Sequence, residues 1–518
     1  MLTLARFSQA KICLFLLATL LAHAACAQPL SGTYHIGANG DFASISKANG
    51  LFAALNERGA QGPVIALVVS DITDEDGSVA LMPLDVTASL LIRPSGGARM
   101  ISGETIGQLS LIAIIGADNV ELNGALTASD TDLARKLTIQ NTNPEAVAVI
   151  EIFSRGFDGA QNIRLRNLNI LGAGGNLSSG VHIGNGFSLD SWDIDDFLLE
   201  NSSIRNVRHG VFGQLDDLGI NQRWRIQGNV IEDNTGSGIY LRAVEAPVIT
   251  ANVIRNLSDS CCGIAGIEIS FDTLNARIEG NTIQNIRGSE SFQPTDGIVV
   301  YPGRGDSTTV LVNNMISGIF GPKLGGSGSA IRFSGNNPGT LQVLHNSINL
   351  YPPINPNQLA SSSVGIALSS PYQGEVKYNI VRCAQPESLP VSSGSRCASV
   401  LISVPTASAL RFDQNLYQFT GQQSFLATLM TESNGAITSL SSLNSWQTLF
   451  GHDLLGRVGD PRFVSDTNLH LRPGGAARQL ATGTATAFDI DGEPRNSAIA
   501  DAGADEGSTD ALTADGFE

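Results

Sequence analysis

The sequence predicts an all-β solenoid, a parallel β-helix, and three observations carry that prediction. A short strand unit repeats about every 30 residues, a second unit keeps step with it, and no stretch of helical length carries an amphipathic period across the repeats. The first unit is a small residue followed by apolar-any-apolar. It starts at Gly180, Gly210, Gly238, Gly266, Gly297, Ala330 and Gly365, with separations of 30, 28, 28, 31, 33 and 35 residues. The second unit is an asparagine leading a strand toward isoleucine, at Asn201, Asn229, Asn252, Asn281, Asn314 and Asn346. Further asparagines follow at Asn206, Asn234, Asn256 and Asn285.

Strands this short cannot bury a face alone. Coiled so that each turn lies on the last, equivalent strands hydrogen-bond in parallel about 4.8 Å apart. Their isoleucines then stack into one continuous core. Asparagine tolerates the left-handed backbone at corners, and stacked asparagines can hydrogen-bond along the ladder. A propeller would need four strands in about 40 residues, which the spacing does not supply.

From the amino end, Arg6 and Lys11 precede an uncharged apolar run, Ile12 to Ala22, and Ala25, Cys26 and Ala27 follow. The run is shorter than the roughly 20 residues that span a bilayer. Positions 1–27 therefore read as a secretory signal peptide, with lipidation at Cys26 the weaker option because His23 occupies the position where a lipoprotein signal carries leucine. No later run is long enough to cross a membrane. The expected location is outside the cytoplasm, extracellular or periplasmic. Residues 28–99 are expected to hold an N-terminal cap and the first coils. There Ile45, Ala48, Leu51, Phe52 and Leu55 fall at helical spacing before Gly59 and predict an amphipathic capping helix, as a solenoid end requires. The repeats occupy 100–430, residues 431–507 form an irregular C-terminal cap region, and 508–518 form a polar tail expected to be mobile.

Composition narrows the function classes. With 42% hydrophobic and 15% charged residues among 518, the chain is not intrinsically disordered. Its 56 glycines follow no collagen period. Acids outnumber cations 48 to 31, a formal charge of −17, which becomes −19 when the signal takes Arg6 and Lys11 with it. Lysines number five and do not cluster, so nucleic-acid binding is excluded as a main function. Of the cysteines after the signal, Cys383 and Cys397 flank a Pro/Ser/Gly-rich loop, and Cys261 and Cys262 are adjacent. Three pairings remain open in an oxidising compartment. No cysteine or histidine spacing predicts a metal site, and no cofactor is expected; Ca²⁺ finds no supporting motif.

The coil repeats, the opening around Gly32, Gly40 and Leu55, and the closing segments at Asp460, Leu469 and Asp489 through Gly503 resemble the right-handed parallel β-helix, pectin-lyase-like superfamily of secreted bacterial proteins. The resemblance spans about residues 31–507. It implies right-handed coiling and secretion. Because the superfamily includes polysaccharide lyases, glycoside hydrolases, esterases, tailspikes and adhesins, it does not imply one activity.

If the repeated isoleucines point inward, the residues between and after them form an outward column: His182, Phe212 with Gln214, Tyr240 with Arg242, Glu268 with Ser270, Val299 with Tyr301, Arg332 with Ser334, and Ala367 with Ser369. Tyr240, Arg242, Glu268, Tyr301 and Arg332 lie within about four rungs, roughly 15 Å. Aromatic faces stack on sugar rings, and guanidinium forks and a carboxylate grip hydroxyls or uronates. The expected partner is accordingly a polysaccharide or cell-surface glycan bound by a monomer. The alternatives are a polysaccharide lyase or glycoside hydrolase with Glu268, Arg242 or Arg332 as catalytic candidates, Arg242 or Arg332 being the lyase base, and Asp272 or Asp296 approaching Glu268 from flanking turns. Against all of these stands a salt-bridged surface with Glu268 held between arginines. An acidic loop at Asp190, Asp193, Asp195 and Asp196 reads as solvated, and the aspartates at 489, 491, 501 and 505 with Glu506 read as turns of the cap.

Overall fold

The computed structural model describes residues 28–507 apart from 128, 130, 156–158, 175–177, 185–193, 215–220, 259–262, 289–292, 302–305, 322–326, 336–338, 352–361, 369–372, 385–395, 404–408, 422, 431–436 and 484. The signal segment, the tail, Asp190, Asp193, Ser369 and the Cys261–Cys262 pair lie outside the described residues.

The chain coils into three long sheets of 13, 12 and 12 strands, and each strand pairs with its equivalents one coil before and one coil after. Pairing is parallel along the coils; the last strand of the third sheet, Ile437–Leu440, adds antiparallel to Ser424–Met430. This is a parallel β-helix. In the third sheet Ile150, Val181, Val211, Ile239, Ile267, Ile298, Ile331, Ile366 and Val400 are register partners. All nine are buried. A matching stack runs through the second sheet from Ile170 to Ile348. One residue type per rung therefore builds one core, with a period of two fixing which side faces inward.

The corner between the first and second sheets carries the asparagine ladder. Asn229, Asn252, Asn281, Asn314, Asn346, Asn379 and Asn415 are each buried, and each Nδ2 donates to the next Oδ1 at 2.9–3.0 Å. The same Oδ1 also accepts the preceding asparagine's backbone N–H. The last asparagine, Asn415, meets Asp453, whose Oδ1 accepts its Nδ2 at 2.8 Å. The ladder extends two rungs beyond the sequence expectation and starts later. Ser202, not Asn201, donates its N–H to Asn229. Asn201 sits one residue earlier in the left-handed region (φ 45°) and bonds Asn167 instead, in a separate outer ladder.

Helix α1, Leu51–Arg58, seals the first coil by burying Leu51, Phe52 and Leu55. It is shorter than the spacing predicts. Ile45 is buried but lies ahead of the helix, and Ala48 is exposed. The reason is Glu75, a buried carboxylate that accepts the Ile45 and Ser46 N–H groups and both the Ser44 and Ser46 hydroxyls at 2.6–3.0 Å. Those N–H groups are held in a turn and cannot enter a helical ladder.

The expected cap region divides in two. Helix α2, Leu443–Phe450, is capped by Ser442, ends on left-handed Gly451, and buries Trp446 against Phe412 at the end of the solenoid. Residues 459–507 instead run back along the outer side of the second sheet. Asn349 donates to the Asp466 carbonyl, Gln284 to that of Thr467, and Arg495 to Asn313 Oδ1, while the Ala504 N–H reaches Ser347 Oγ. None of these bonds falls on the third sheet. Cys383 and Cys397 form a buried disulfide joining the second and third sheets. No helix among the described residues is long and apolar enough to cross a membrane.

Candidate functional site on the third sheet

The outward column follows the strand register. Glu151, His182, Phe212, Tyr240 and Glu268 are successive partners, and Val299, Arg332 and Ala367 continue the same line. Tyr301 lies two residues beyond Val299, and its N–H bonds the Ile269 carbonyl one coil back. Arg242 pairs with Gln214 in the neighbouring line. The five residues singled out from the sequence thus share one face over four consecutive rungs.

Burial departs from the expected pattern of full exposure. Tyr240, Arg242, Glu268, Tyr301 and Arg332 are half-buried, and Val299, Ser270 and Ala367 are buried. Val299 is covered because Arg332, its register partner, folds back across that rung to reach Asp296. Alternation sets only direction; the covering depends on long side chains from adjacent coils.

Two halves make up the column. The first is a ring stack: Phe153 to His182 at 5.6 Å, His182 to Phe212 at 5.5 Å, and Phe212 to Tyr240 at 4.9 Å between centroids. His209 lies against Phe212 at 5.0 Å, and burial together with nearby Arg208 pushes it down to about 3, so its ring is neutral. Glu151 Oε1 lies 3.3 Å from His182 Nδ1, which orients the imidazole. Glu151 and Phe153 escaped the sequence reading. Glu151 was legible, since it occupies the outward position of a strand one rung before the first glycine-led repeat.

The second half is polar. Arg332 grips Asp296 with Nε at 3.0 Å from both oxygens and Nη2 at 2.6 Å, and donates from Nη2 to Tyr301 Oη at 3.0 Å. Its guanidinium also lies 5.4 Å from the Tyr301 ring centroid. The Asp296 side chain is 2% exposed. Asp296 precedes Gly297 in the repeat, where other rungs carry Ala265 and Ser329. An acid at that small-residue position was the signal for it. Phe271, 52% exposed, extends the aromatic edge at 5.5 Å from Tyr301.

Glu268 is not the partner of these arginines. It makes no hydrogen bond or ion pair with a described residue, so the expected salt-bridged Glu268 is corrected: the carboxylate that Arg332 holds is Asp296. Burial first, and then repulsion from Asp296, push Glu268 from 4.5 up to about 7 against the pull of Arg332. Arg332 is likewise corrected as a candidate base. Burial alone would lower its pKa, but the bonds to Asp296 and that residue's charge outweigh burial and raise it, so the guanidinium keeps its proton. Asp195 and Asp196, from the acidic loop, pair with Arg223.

Fold and site together define a right-handed parallel β-helix with an aromatic and polar column along one sheet. The family model described as right handed beta helix region matches residues 156–338, the coils from almost one coil before His182 to just past Arg332. Among solved structures, the chain is similar to the A-module of a mannuronan C-5 epimerase from Azotobacter vinelandii, at 12% identity and a TM-score of 0.36, covering 77% of this chain and 92% of that one. No curated protein matches the chain.

Proposed function

We propose that this protein is exported and binds a polysaccharide lengthwise along the outer face of its third sheet. The carrying observation is the ring stack His182, Phe212 and Tyr240, which rises one ring per coil and runs directly into Glu268. Packed against one another, these rings present a row of edges one rung apart, about 4.8 Å, along which a linear glycan can lie. Arg242, Tyr301 and Arg332 then supply donors beside the stack. Secretion rests on the signal-like residues 1–27 and gives such a protein access to extracellular glycans.

One observation favours a second reading, a lyase. Glu268 has no hydrogen-bond or ion-pair partner among the described residues and titrates near neutrality, the property a general base requires. Arg332 and Tyr301 flank it and can hydrogen-bond a sugar carboxylate or a leaving oxygen. Hydrolysis fits less well. It requires two working carboxyls about 5–9.5 Å apart, and Asp296, sealed behind Arg332, cannot reach a sugar or a water.

A panel of neutral and uronate polysaccharides tests both. Binding without new chain ends supports recognition alone. Ultraviolet absorbance from an unsaturated sugar, lost in Glu268→Gln with binding retained, supports the lyase. Failure of every polysaccharide to bind rejects the proposal.

A further inference from the structure

The strap that runs back along the second sheet brings together three side chains far apart in sequence. His470, Asp491 and Asp505 place their ligand atoms within 4.8 Å of one another. Each comes from a separate pass of the strap. His470 is adjacent to Leu469, which is buried against Met315 and Ala504, and Asp505 follows Ala504 directly. The docked core of the strap therefore fixes two of the three positions.

The geometry has a feature that a solvated acidic turn lacks. His470 Nδ1 lies 2.5 Å from Asn468 Oδ1, an acceptor, which assigns the proton to Nδ1. His470 Nε2 lies 3.0 Å from Asp491 Oδ2. That contact is met either by a proton on Nε2 or by a cation held between the two atoms. Two ligand atoms bound to one ion at about 2.0–2.1 Å sit about 3 Å apart in tetrahedral or octahedral geometry. Orientation of the histidine by an outer acceptor is the arrangement found around metal-ligating imidazoles. Asp505 supplies the third ligand from beneath. It is 6% exposed, and its Oδ2 accepts the Leu471 N–H at 2.6 Å, which holds the carboxylate still. His470 and Asp491 have side chains 39% and 47% exposed, so an ion has a route in and room for water ligands.

We propose that His470 Nε2, Asp491 and Asp505 bind one divalent transition cation of the Zn²⁺ class. One imidazole and two carboxylates match Zn²⁺ and its congeners better than Ca²⁺, which takes six to eight oxygens. The ion staples three passes of the strap and so secures it to the coils. It lies on the second sheet, apart from the third-sheet column, and does not depend on the glycan reading.

Tag-free protein, stripped with a chelator, is titrated with Zn²⁺ by calorimetry and with Co²⁺ by visible absorbance. The expected result is one saturable site per chain, a thermal midpoint that rises with bound Zn²⁺, and Co²⁺ bands showing nitrogen and oxygen ligation. His470→Gln and Asp491→Asn, both at half-exposed positions, should each weaken binding at least tenfold while circular dichroism stays that of the parent. The alternative is a bare histidine–aspartate ion pair. Absence of a one-to-one site, or binding unchanged in both folded variants, overturns the proposal.

Discussion

Replacing Glu268 by glutamine should stabilise the protein, and the gain should grow with pH. The folded carboxyl titrates at about 7 and the ordinary value is 4.5, because burial and then Asp296 disfavour its charge. A group whose folded pKa is raised contributes its full stability below the unfolded value and loses it as pH climbs through the folded value. Wild type is thus penalised for ionising Glu268 between about pH 4.5 and 7. With each pKa unit worth about 1.36 kcal/mol, the cost is about 1 kcal/mol at pH 5.5 and approaches about 3 kcal/mol at pH 8.5. Glutamine keeps the shape of the neutral acid and escapes the cost. For about 480 folded residues the unfolding entropy is about 1 kcal/mol per degree, so E268Q should melt about 1 °C above wild type at pH 5.5 and about 3 °C above at pH 8.5. Scanning calorimetry of both proteins at the two pH values reads this directly. A gap that is absent, reversed or equal at both pH values would refute the assignment of a half-buried Glu268 with no partner among the described residues.

Arg332→Ala leaves Asp296 buried without its partner and should cost about 3–5 kcal/mol, whereas Asp296→Asn combined with Arg332→Met should recover much of that loss in denaturant midpoints. Asn281→Ala removes an acceptor from the Asn252 N–H and a donor from the Ile249 carbonyl, and should cost about 2–3 kcal/mol in urea unfolding. Asn201→Ala, outside that buried ladder, should cost clearly less in the same assay.

The coils were readable because the core repeats one residue type per rung, so spacing alone placed Ile239, Ile267, Ile298 and Ile331 on one inner line. The same register put Tyr240, Glu268 and Arg332 on the opposite side. What spacing could not supply was contact between rungs. Whether Arg332 would take Glu268 or Asp296 depends on which carboxylate a long side chain reaches across Val299, a choice absent from the period. The start of α1 was missed because Glu75, some 30 residues later, holds the turn before it. The path of the strap was hidden for a similar reason. Its contacts, hydrogen bonds to side chains such as Gln284 and Asn313 and apolar packing on residues such as Met315, are each far away in sequence and none periodic.

The central claim is that a glycan lies on the ring stack of the third sheet, and a double variant tests it most directly. Phe212→Ala with Tyr240→Ala removes two adjacent rings from the outer face while Val211 and Ile239, their buried neighbours, keep the core intact. Calorimetric titration with the best polysaccharide from the panel should show a loss of about 1–3 kcal/mol, summed from aromatic contacts of about 0.5–1.5 kcal/mol each. Arg225→Ala, on the outer face of the first sheet, should bind as the parent does. Undiminished affinity in a folded double variant, or an equal loss in the first-sheet control, would contradict the placement of the glycan on this column.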